Sequence, residues 1–166
     1  MDVTHVVMDS PLGPLTLVAR DGALAGVYFA GQRNRPPPER LGRLAPAALA
    51  EPVRQVTEYF AGERTAFELD LALAQDDFGR RVWALASQIP YGQTRSYGDL
   101  AAELGHPRLA QDVGAANARN RLCVVVPCHR VVGAAGQLTG YAGGLARKRA
   151  LLDLESGVRK PAGRLF

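Results

Sequence analysis

The chain has 166 residues, of which 47% are apolar and 22% charged, and its net charge is +4. This composition is that of an ordinary globular protein and excludes the disordered and fibrous classes. Two cysteines are too few for a disulfide framework, and no uncharged stretch approaches the about 18 to 20 apolar residues that cross a bilayer. We therefore expect a cytoplasmic protein that is not associated with a membrane.

The charge is distributed unevenly along the chain. Residues 1–75 carry 7 Arg against 9 Asp or Glu, a net charge of -2, whereas residues 76–166 carry 13 Lys or Arg against 7 Asp or Glu, a net charge of +6. A basic second half indicates contact with a polyanion such as nucleic acid. A basic face exposed only to water is the alternative explanation of the same balance.

The first 30 residues contain three apolar runs separated by turn-forming residues. They predict an antiparallel three-stranded sheet, with strands at Val3 to Met8, Leu15 to Ala19 and Leu24 to Phe29. The stretch from Gly31 to Pro46 contains three consecutive prolines, which lack the backbone donor that regular structure needs. It is interpreted as an irregular connecting loop.

A helix is predicted after this loop, because apolar residues from Leu49 to Phe60 recur at helical spacing and Gly62 can end the helix. Its apolar face is expected to pack on the sheet. Further along, two aspartates can cap a second helix that runs from Phe78 to Ala86. We place a domain boundary before those aspartates, which gives domains at residues 1–75 and 76–166.

Two short helices are predicted next. Ser96 can cap the first of them, since Asp99 stands three residues later and can return the capping hydrogen bond. The turn Gly105-His106-Pro107 ends that helix, and another should run from about Arg108 to Arg119. Two short helices joined by a tight glycine-containing turn are typical of a DNA-binding helix-turn-helix, and an ordinary helical hairpin is the alternative interpretation.

Cys128 is the candidate nucleophile. The apolar, β-branched run from Leu122 to Val126 predicts a buried extended segment that ends at Pro127, whose fixed backbone angle holds the cysteine on stiff chain. Only a thiolate attacks carbon well, and His129 can serve as its base. Because neighbours on an extended chain point to opposite sides, the two would communicate through a bend or a water molecule. A small buried hydrophobic residue is the alternative role for Cys128.

A disulfide between Cys123 and Cys128 is not expected. Five residues of extended chain span roughly 16 Å, which is far beyond the bridging distance. Zinc is not expected either, because few soft ligands lie nearby in the sequence.

Four parts of the second half, taken together, resemble a known active-site signature. In order and spacing they are similar to that of the O6-alkylguanine-DNA alkyltransferases, and they are Asn120, Pro127-Cys128-His129-Arg130-Val131, Gly140 to Leu145, and Glu155. The resemblance covers residues 76–166 and, more loosely, Asp9 to Gly13. It implies an α+β protein: a small ribonuclease H-like domain with an antiparallel three-stranded sheet, and a mainly helical, winged-helix-like domain with the helix-turn-helix.

The resemblance assigns roles to the residues that match the family's motifs. Cys128 would be the alkyl acceptor, His129 the base that acts through a water molecule, and Glu155 the carboxylate that orients His129. Asn120 would brace the turn around the active site. The guanine would be bound by Tyr97, Val131, Tyr141 and Ala142.

The resemblance also implies a DNA interface. Tyr97 would help to push the target nucleotide out of the duplex, because a stacked base hides its O6 atom. Arg130 would mainly anchor nearby backbone. The residues predicted at the interface are Ser96, Ala110, Gln111, Gly114 and Arg130.

The implied activity is a DNA repair reaction. O6-alkylguanine would be flipped from double-stranded DNA, and its alkyl group would be transferred irreversibly to Cys128 in a single turnover. The chain would act as a monomer through the minor groove, where sequence information is sparse. Neither a cofactor nor a metal is implied.

The chain departs from the family's pattern at two places. Gln111 stands where the family usually has an arginine that fills the gap left by the flipped base, and the neighbouring Asp112 can repel phosphate. We predict weaker DNA binding or slower flipping than is usual in the family, with the chemistry intact. Arg121 replaces a proline that commonly follows the asparagine, which bears on local rigidity only.

Two other functions use the same residues. A cysteine hydrolase would also employ Cys128 and His129, but it needs an oxyanion-binding site that the sequence does not indicate. A non-catalytic protein that binds alkylation damage would flip the lesion and signal to other repair proteins. Such proteins lack the acceptor cysteine, which this chain has.

Overall fold

A computed structural model of the protein describes residues 2–73 and 76–157, so the predicted domain boundary at residue 75 lies outside the described residues. The fold is α+β, as predicted, with a sheet in the first half and mainly helices in the second. Three antiparallel strands lie where the apolar runs predicted them: β1 (Val3–Met8), β2 (Leu15–Arg20) and β3 (Ala23–Phe29).

The sheet has one strand more than the sequence indicated. β4 (Arg43–Leu44) pairs in parallel with β1, which gives the strand order β3-β2-β1-β4. The interpretation of residues 31–46 as wholly irregular was therefore wrong, since this stretch also contains a 3-10 helix at Pro38–Arg40. Gly42 makes the parallel pairing possible: its φ is 73°, and a Cβ there would lie 2.0 Å from the carbonyl oxygen of Val3.

The helix predicted after the loop is present and covers one face of the sheet. A 3-10 helix, Pro46–Leu49, leads into α1 (Ala50–Phe60). Val56 and Tyr59 are buried in the core that also contains the apolar side chains of the inner sheet face, Leu15, Leu17, Val27 and Phe29. Tyr59 is a large side chain with a hydroxyl group, and it carries that group through the core toward the second half.

Four α-helices occupy the described part of the second half: α2 (Asp77–Ser87), α3 (Tyr97–Glu103), α4 (Ala110–Ala118) and α5 (Leu145–Glu155). The predicted caps are present. The Asp76 carboxylate accepts a hydrogen bond from the Gly79 amide at 2.7 Å. The hydroxyl of Ser96 accepts from the Asp99 amide at 3.0 Å, and the Asp99 carboxylate accepts from the Ser96 amide at 3.1 Å. Helices α3 and α4 meet through a 3-10 turn, so the second helix begins two residues later than predicted.

Residues 122–126 do not form the extended segment that the sequence predicted. They form a turn, in which the Val126 amide donates to the Leu122 carbonyl at 2.8 Å and Val124 has a φ of 73°. Two interactions override the strand preference of these β-branched residues: the Leu122 amide donates to the Asn120 side chain at 2.9 Å, and Leu122 forms an isolated bridge with Val27 of β3. The turn therefore brings the two ends of the apolar run together.

The short strands β5 (Arg95–Ser96) and β6 (Val131–Val132) pair in parallel beside this turn. Buried apolar residues of both halves of the chain form one continuous core. No helix within residues 2–73 and 76–157 is long and apolar enough to span a membrane.

Candidate active site

Cys128 lies at the start of a 3-10 helix, Cys128–Arg130, and its side chain is 0% exposed. Two asparagines hold it in place. The Asn120 amide nitrogen donates to the Cys128 sulfur at 2.8 Å and to the Val126 carbonyl at 3.1 Å. The Asn117 amide nitrogen donates to the Cys128 carbonyl at 3.0 Å. The sulfur is thus oriented before any substrate arrives, which is the condition for an efficient nucleophile.

The surroundings of Cys128 favour its thiolate form. Burial is the largest single effect and raises the pKa of the thiol. Hydrogen bonds from Cys123 and Asn120, together with the positive charge of Lys148, outweigh burial, so the pKa of Cys128 lies below its ordinary value. The hydrogen bond to Cys128, followed by burial, raises the pKa of Cys123 well above its ordinary value. Cys128 is therefore the more acidic thiol of the pair, and Cys123 stays protonated as its hydrogen-bond donor.

Glu155, at the end of α5, accepts hydrogen bonds from three buried side chains. Its Oε2 atom is 2.7 Å from His129 Nε2 and 2.5 Å from the Tyr59 hydroxyl. The Arg130 guanidinium donates to both carboxylate oxygens, at 2.7 and 3.0 Å, and also donates to the Ile89 carbonyl at 2.7 Å. This network holds the His129 ring rigidly against the end of α5.

The charge states in this network follow from its geometry. Burial raises the pKa of Glu155, but hydrogen bonds from His129 and Arg130 more than offset it and lower the pKa to about 2. Burial also lowers the pKa of His129, and this outweighs the opposing influence of Glu155. At neutral pH the histidine is therefore neutral and its Nε2 carries the proton, because a carboxylate can only accept. Its Nδ1 is buried, has no hydrogen-bond partner among the described residues, and is left as an acceptor.

Lys148 of α5 is 0% exposed and contributes the positive charge near the thiolate. Its ammonium group donates to the Val131 carbonyl at 2.7 Å and, at 3.2 Å each, to the Tyr97 hydroxyl and the Thr139 and Gly140 carbonyls. Burial lowers the pKa of Lys148 to about 8, against the opposing influence of Cys128. A lysine with this pKa can give up a proton near neutral pH.

The two tyrosines predicted to bind guanine contact residues of this site: Tyr97 contacts Lys148, and Tyr141 contacts His129. The Tyr97 hydroxyl donates to the Thr139 carbonyl at 2.7 Å, and its ring faces Gly114 of α4, where a Cβ would lie 3.9 Å away. The Tyr141 ring lies edge-on to His129, with 6.5 Å between the ring centroids. The Tyr141 hydroxyl is buried and lies beside the Cys123 thiol.

A cavity of about 640 Å³ opens beside these residues. Its wall is formed by the glycine-rich segment from Gly140 to Leu145, including Tyr141 and Ala142, and by residues 31–34 from the first half. Cys128 is not among the lining residues, and the predicted guanine-binding residue Val131 is buried with its carbonyl bonded to Lys148. The cavity therefore does not extend to the Cys128 sulfur in this structure.

The residues predicted at the DNA interface, with one exception, lie on or beside the helix-turn-helix. Gln111 is exposed, Ala110 and Gly114 are partly exposed, and Ser96 caps α3. The exception is Arg130. Its guanidinium is buried and fully engaged by Glu155 and the Ile89 carbonyl, so its assignment to the DNA interface is wrong and only its anchoring role fits the structure.

The two cysteines are not held apart by an extended chain, as the sequence predicted. The turn at residues 122–126 brings them close enough for each thiol to shift the pKa of the other. Both cysteines are free thiols.

Sequence reasoning missed Lys148, Tyr59 and Cys123. One signal could have found Lys148: it precedes Glu155 by seven residues, so the two lie on the same face of α5 as the buried Leu151. The role of Tyr59 depends on packing between the two halves of the chain, which leaves no local pattern in the sequence.

Comparison with known proteins identifies the class to which this fold and site belong. Sequence models of the 6-O-methylguanine DNA methyltransferase family match both halves of the chain, the ribonuclease-like domain at residues 3–73 and the DNA-binding domain at residues 77–157. The chain therefore belongs to this family, as the resemblance noted in the sequence predicted.

Individual relatives are similar over nearly the whole chain. The methylated-DNA-protein-cysteine methyltransferase of Mycolicibacterium paratuberculosis is 48% identical over 154 residues, which cover 92% of each chain. That of Mycobacterium leprae is 49% identical over 149 residues, or 89% of each chain. The crystal structure of Mycobacterium tuberculosis OGT in complex with DNA superposes with a TM-score of 0.88 at 45% identity, covering 93% of this chain and 94% of that one.

Proposed function

We propose that this protein repairs O6-alkylguanine in double-stranded DNA by transferring the alkyl group to its own Cys128, once and irreversibly. It is a methylated-DNA-protein-cysteine methyltransferase, and DNA is its partner. One observation carries the assignment of the acceptor: Cys128 is a preoriented thiol with a lowered pKa, next to a neutral histidine held by a carboxylate.

The side chains of the site can supply and accept every proton that the proposed reaction moves. The Cys128 proton passes through a water molecule to Nδ1 of His129, and the imidazolium so formed is stabilised by Glu155. The thiolate then attacks the alkyl carbon, so that a sulfur-carbon bond forms while the bond from that carbon to O6 breaks and its electron pair stays on the guanine. A ring nitrogen of the guanine takes up one proton. Lys148, with a pKa of about 8 and a hydrogen bond to Tyr97, is a positioned source of that proton.

The single turnover follows from the product. Cys128 becomes a thioether, which is neither a leaving group nor a base under these conditions, and the protein carries no second acceptor in a comparable setting among the described residues. The other cysteine, Cys123, has a raised pKa and stays protonated.

We propose that α3 and α4 enter the minor groove and that Tyr97 helps to extrude the target nucleotide. The exposed side of α4 consists of small residues together with Gln111 and Asp112, and the small residues suit close approach to a groove floor. Ala110 and Gly114 would lie nearest the DNA, and the chain would bind as a monomer. We further propose residues 1–75 and 76–166 as the two domains, a division supported by the ranges of the two family models.

Mass spectrometry tests the proposal. After incubation with a duplex that contains one O6-methylguanine, we expect the peptide bearing Cys128 to gain one methyl group, with a yield that never exceeds one per protein. Cys128→Ser is the matched control and should gain none. Tight binding of the lesion without any methyl gain would instead favour the non-catalytic damage-binding alternative, and release of repaired base over many turnovers would favour a hydrolase.

A further inference from the structure

A separate cavity of about 300 Å³ lies on the face of the sheet opposite α1. Its floor is formed by Val18, Ala25 and Tyr28, and the loop from Asn34 to Pro37 forms one side. Among the described residues that line it there is no aspartate or glutamate, but there are four arginines: Arg20, Arg35, Arg40 and Arg121. The volume suits a small ligand, and the charge selects an anion.

None of the four guanidinium groups forms an ion pair with a carboxylate of the described residues. Within residues 2–73 and 76–157, every ion pair involves other side chains. The Nε atom of Arg20 is moreover completely buried and lacks a hydrogen-bond acceptor within the same ranges. A buried donor without an acceptor is destabilising and calls for an explanation, of which a bound ion is one.

Tyr28 adds a hydroxyl group to the floor of this cavity. Burial raises the pKa of Tyr28, against the opposing charges of Arg121 and Arg20. Both arginines line the same cavity as the phenol. The phenol is neutral at physiological pH and can donate to an anion held between the two arginines.

We propose that this cavity, the arginine pocket, binds a phosphate group. Guanidinium groups match phosphate oxygens with paired hydrogen bonds, and Tyr28, which lines the same cavity, carries a further donor. A phosphate would neutralise this cluster of positive charge.

Two sources can supply this group, a DNA backbone or a free phosphate compound. Asn34 connects the pocket to the active site: it lines both the arginine pocket and the 640 Å³ cavity, and its amide donates to the Asn120 carbonyl at 3.2 Å. Arg121 directly follows Asn120. If the phosphate belongs to DNA, the inference rests on the proposed function, and the arginine pocket supplies positive charge to the DNA interface that Gln111 does not.

The first arm of the test uses inorganic phosphate alone. The melting temperature of the wild-type protein is measured as phosphate replaces chloride at constant ionic strength, and we expect it to rise, since a ligand that binds only the folded state stabilises it. The rise should be absent in Arg20→Gln/Arg121→Gln. Arg43→Gln is the control: it removes the charge of an exposed arginine of the same sheet outside the pocket, and the rise in melting temperature should remain. Arg35→Gln/Arg40→Gln, on exposed positions, repeats the test should the first pair destabilise the fold.

The second arm measures the dissociation constant for an unmodified DNA duplex between 50 and 200 mM salt. Loss of one phosphate contact reduces the slope of log affinity against log salt by about 0.9, so the wild type should lose about 3.5-fold more affinity over this range than the double variants. A smaller salt slope in the double variants assigns the pocket to DNA.

Loss of the phosphate response in those variants, with an unchanged salt slope, assigns the pocket to a free phosphate compound. If the variants match the wild type in both arms, the inference is overturned. Absence of DNA binding by the wild type would count against the proposed function, while the first arm would still decide the pocket.

Discussion

Replacing Cys123 with alanine tests whether this buried thiol tunes the acceptor. Its hydrogen bond is the largest of the influences that lower the pKa of Cys128, and both sulfur atoms are fully buried. A hydrogen bond to a charged group contributes about 1.5 to 3 kcal/mol. Since about 1.4 kcal/mol is a factor of ten in an equilibrium, the thiolate fraction of Cys128 should fall about 10- to 150-fold where the thiol form predominates.

The assay is single-turnover transfer from a methylated duplex, followed across pH at saturating DNA. For Cys123→Ala we expect the pH midpoint of the rate to move upward, with the rate at high pH close to that of the wild type, because deprotonation and not the attack itself is impaired. Cys123→Ser keeps a donor of similar size and should restore most of the low-pH rate. A uniform loss of rate at every pH, with the midpoint in place, would show that Cys123 only fills space and would refute the reasoning.

Three further predictions concern the DNA interface and the buried network. Gln111→Arg should bind duplex DNA more tightly and speed single-turnover transfer at subsaturating DNA; an unchanged or slower variant contradicts the role given to Gln111. The pKa of Glu155 falls from 4.5 in the unfolded chain to about 2 in the folded protein. Glu155 therefore adds about 3 kcal/mol to the free energy of unfolding above pH 4.5, and this contribution is lost as the pH falls toward 2. Urea unfolding at several pH values should show this loss, and Glu155→Gln should lack it. Tyr59→Phe removes one hydrogen bond to a charged group and should lower the free energy of unfolding by about 1.5 to 3 kcal/mol; a change under 0.5 kcal/mol contradicts this.

The parts of the fold that depend on local chemistry could be predicted from the sequence. Strands β1 to β3 follow from apolar runs bounded by turn residues, and the ends of α2 and α3 follow from capping side chains. The turn at residues 122–126 could not, because its valines prefer extended backbone. Only the bridge from Leu122 to Val27 and the hydrogen bond to Asn120 overrule that preference, and both come from residues outside the run.

The candidate site also contains residues that the sequence predicted and residues that only the packing of the fold brings in. Cys128, His129 and Glu155 were found from an ordered set of motifs, and the structure brings His129 and Glu155 within 2.7 Å. Lys148 and Tyr59 lie far from Cys128 in sequence and reach the site through the packing of α5 and α1. Arg130 was misassigned because an arginine beside a nucleophile looks available for phosphate, and nothing in the sequence reveals that Glu155 and Ile89 already engage it.

The Cys123 thiol can donate its one hydrogen to either of two acceptors, Cys128 or Gln32, and alkyl transfer should change which of them it chooses. Its sulfur lies 3.5 Å from Oε1 of Gln32, a residue held by the first half of the chain through the Phe29 amide, and it also contacts Cys128. While Cys128 is a thiolate it is the stronger acceptor, and after transfer it is a thioether, which accepts hydrogen bonds weakly. The hydrogen should therefore turn to Gln32 once the alkyl group is in place.

The infrared S–H stretching band can report this change, because Cys123 is the thiol that remains protonated both before and after transfer. We expect the band to shift when the protein is methylated, and to stay at a frequency typical of a weakly bonded thiol in methylated Gln32→Leu, which lacks the second acceptor. A band that is identical before and after methylation of the wild type would mean that Cys123 donates to Gln32 throughout. In that case the lowered pKa of Cys128 would have to come from Asn120, Lys148 and the Cys128 backbone amide.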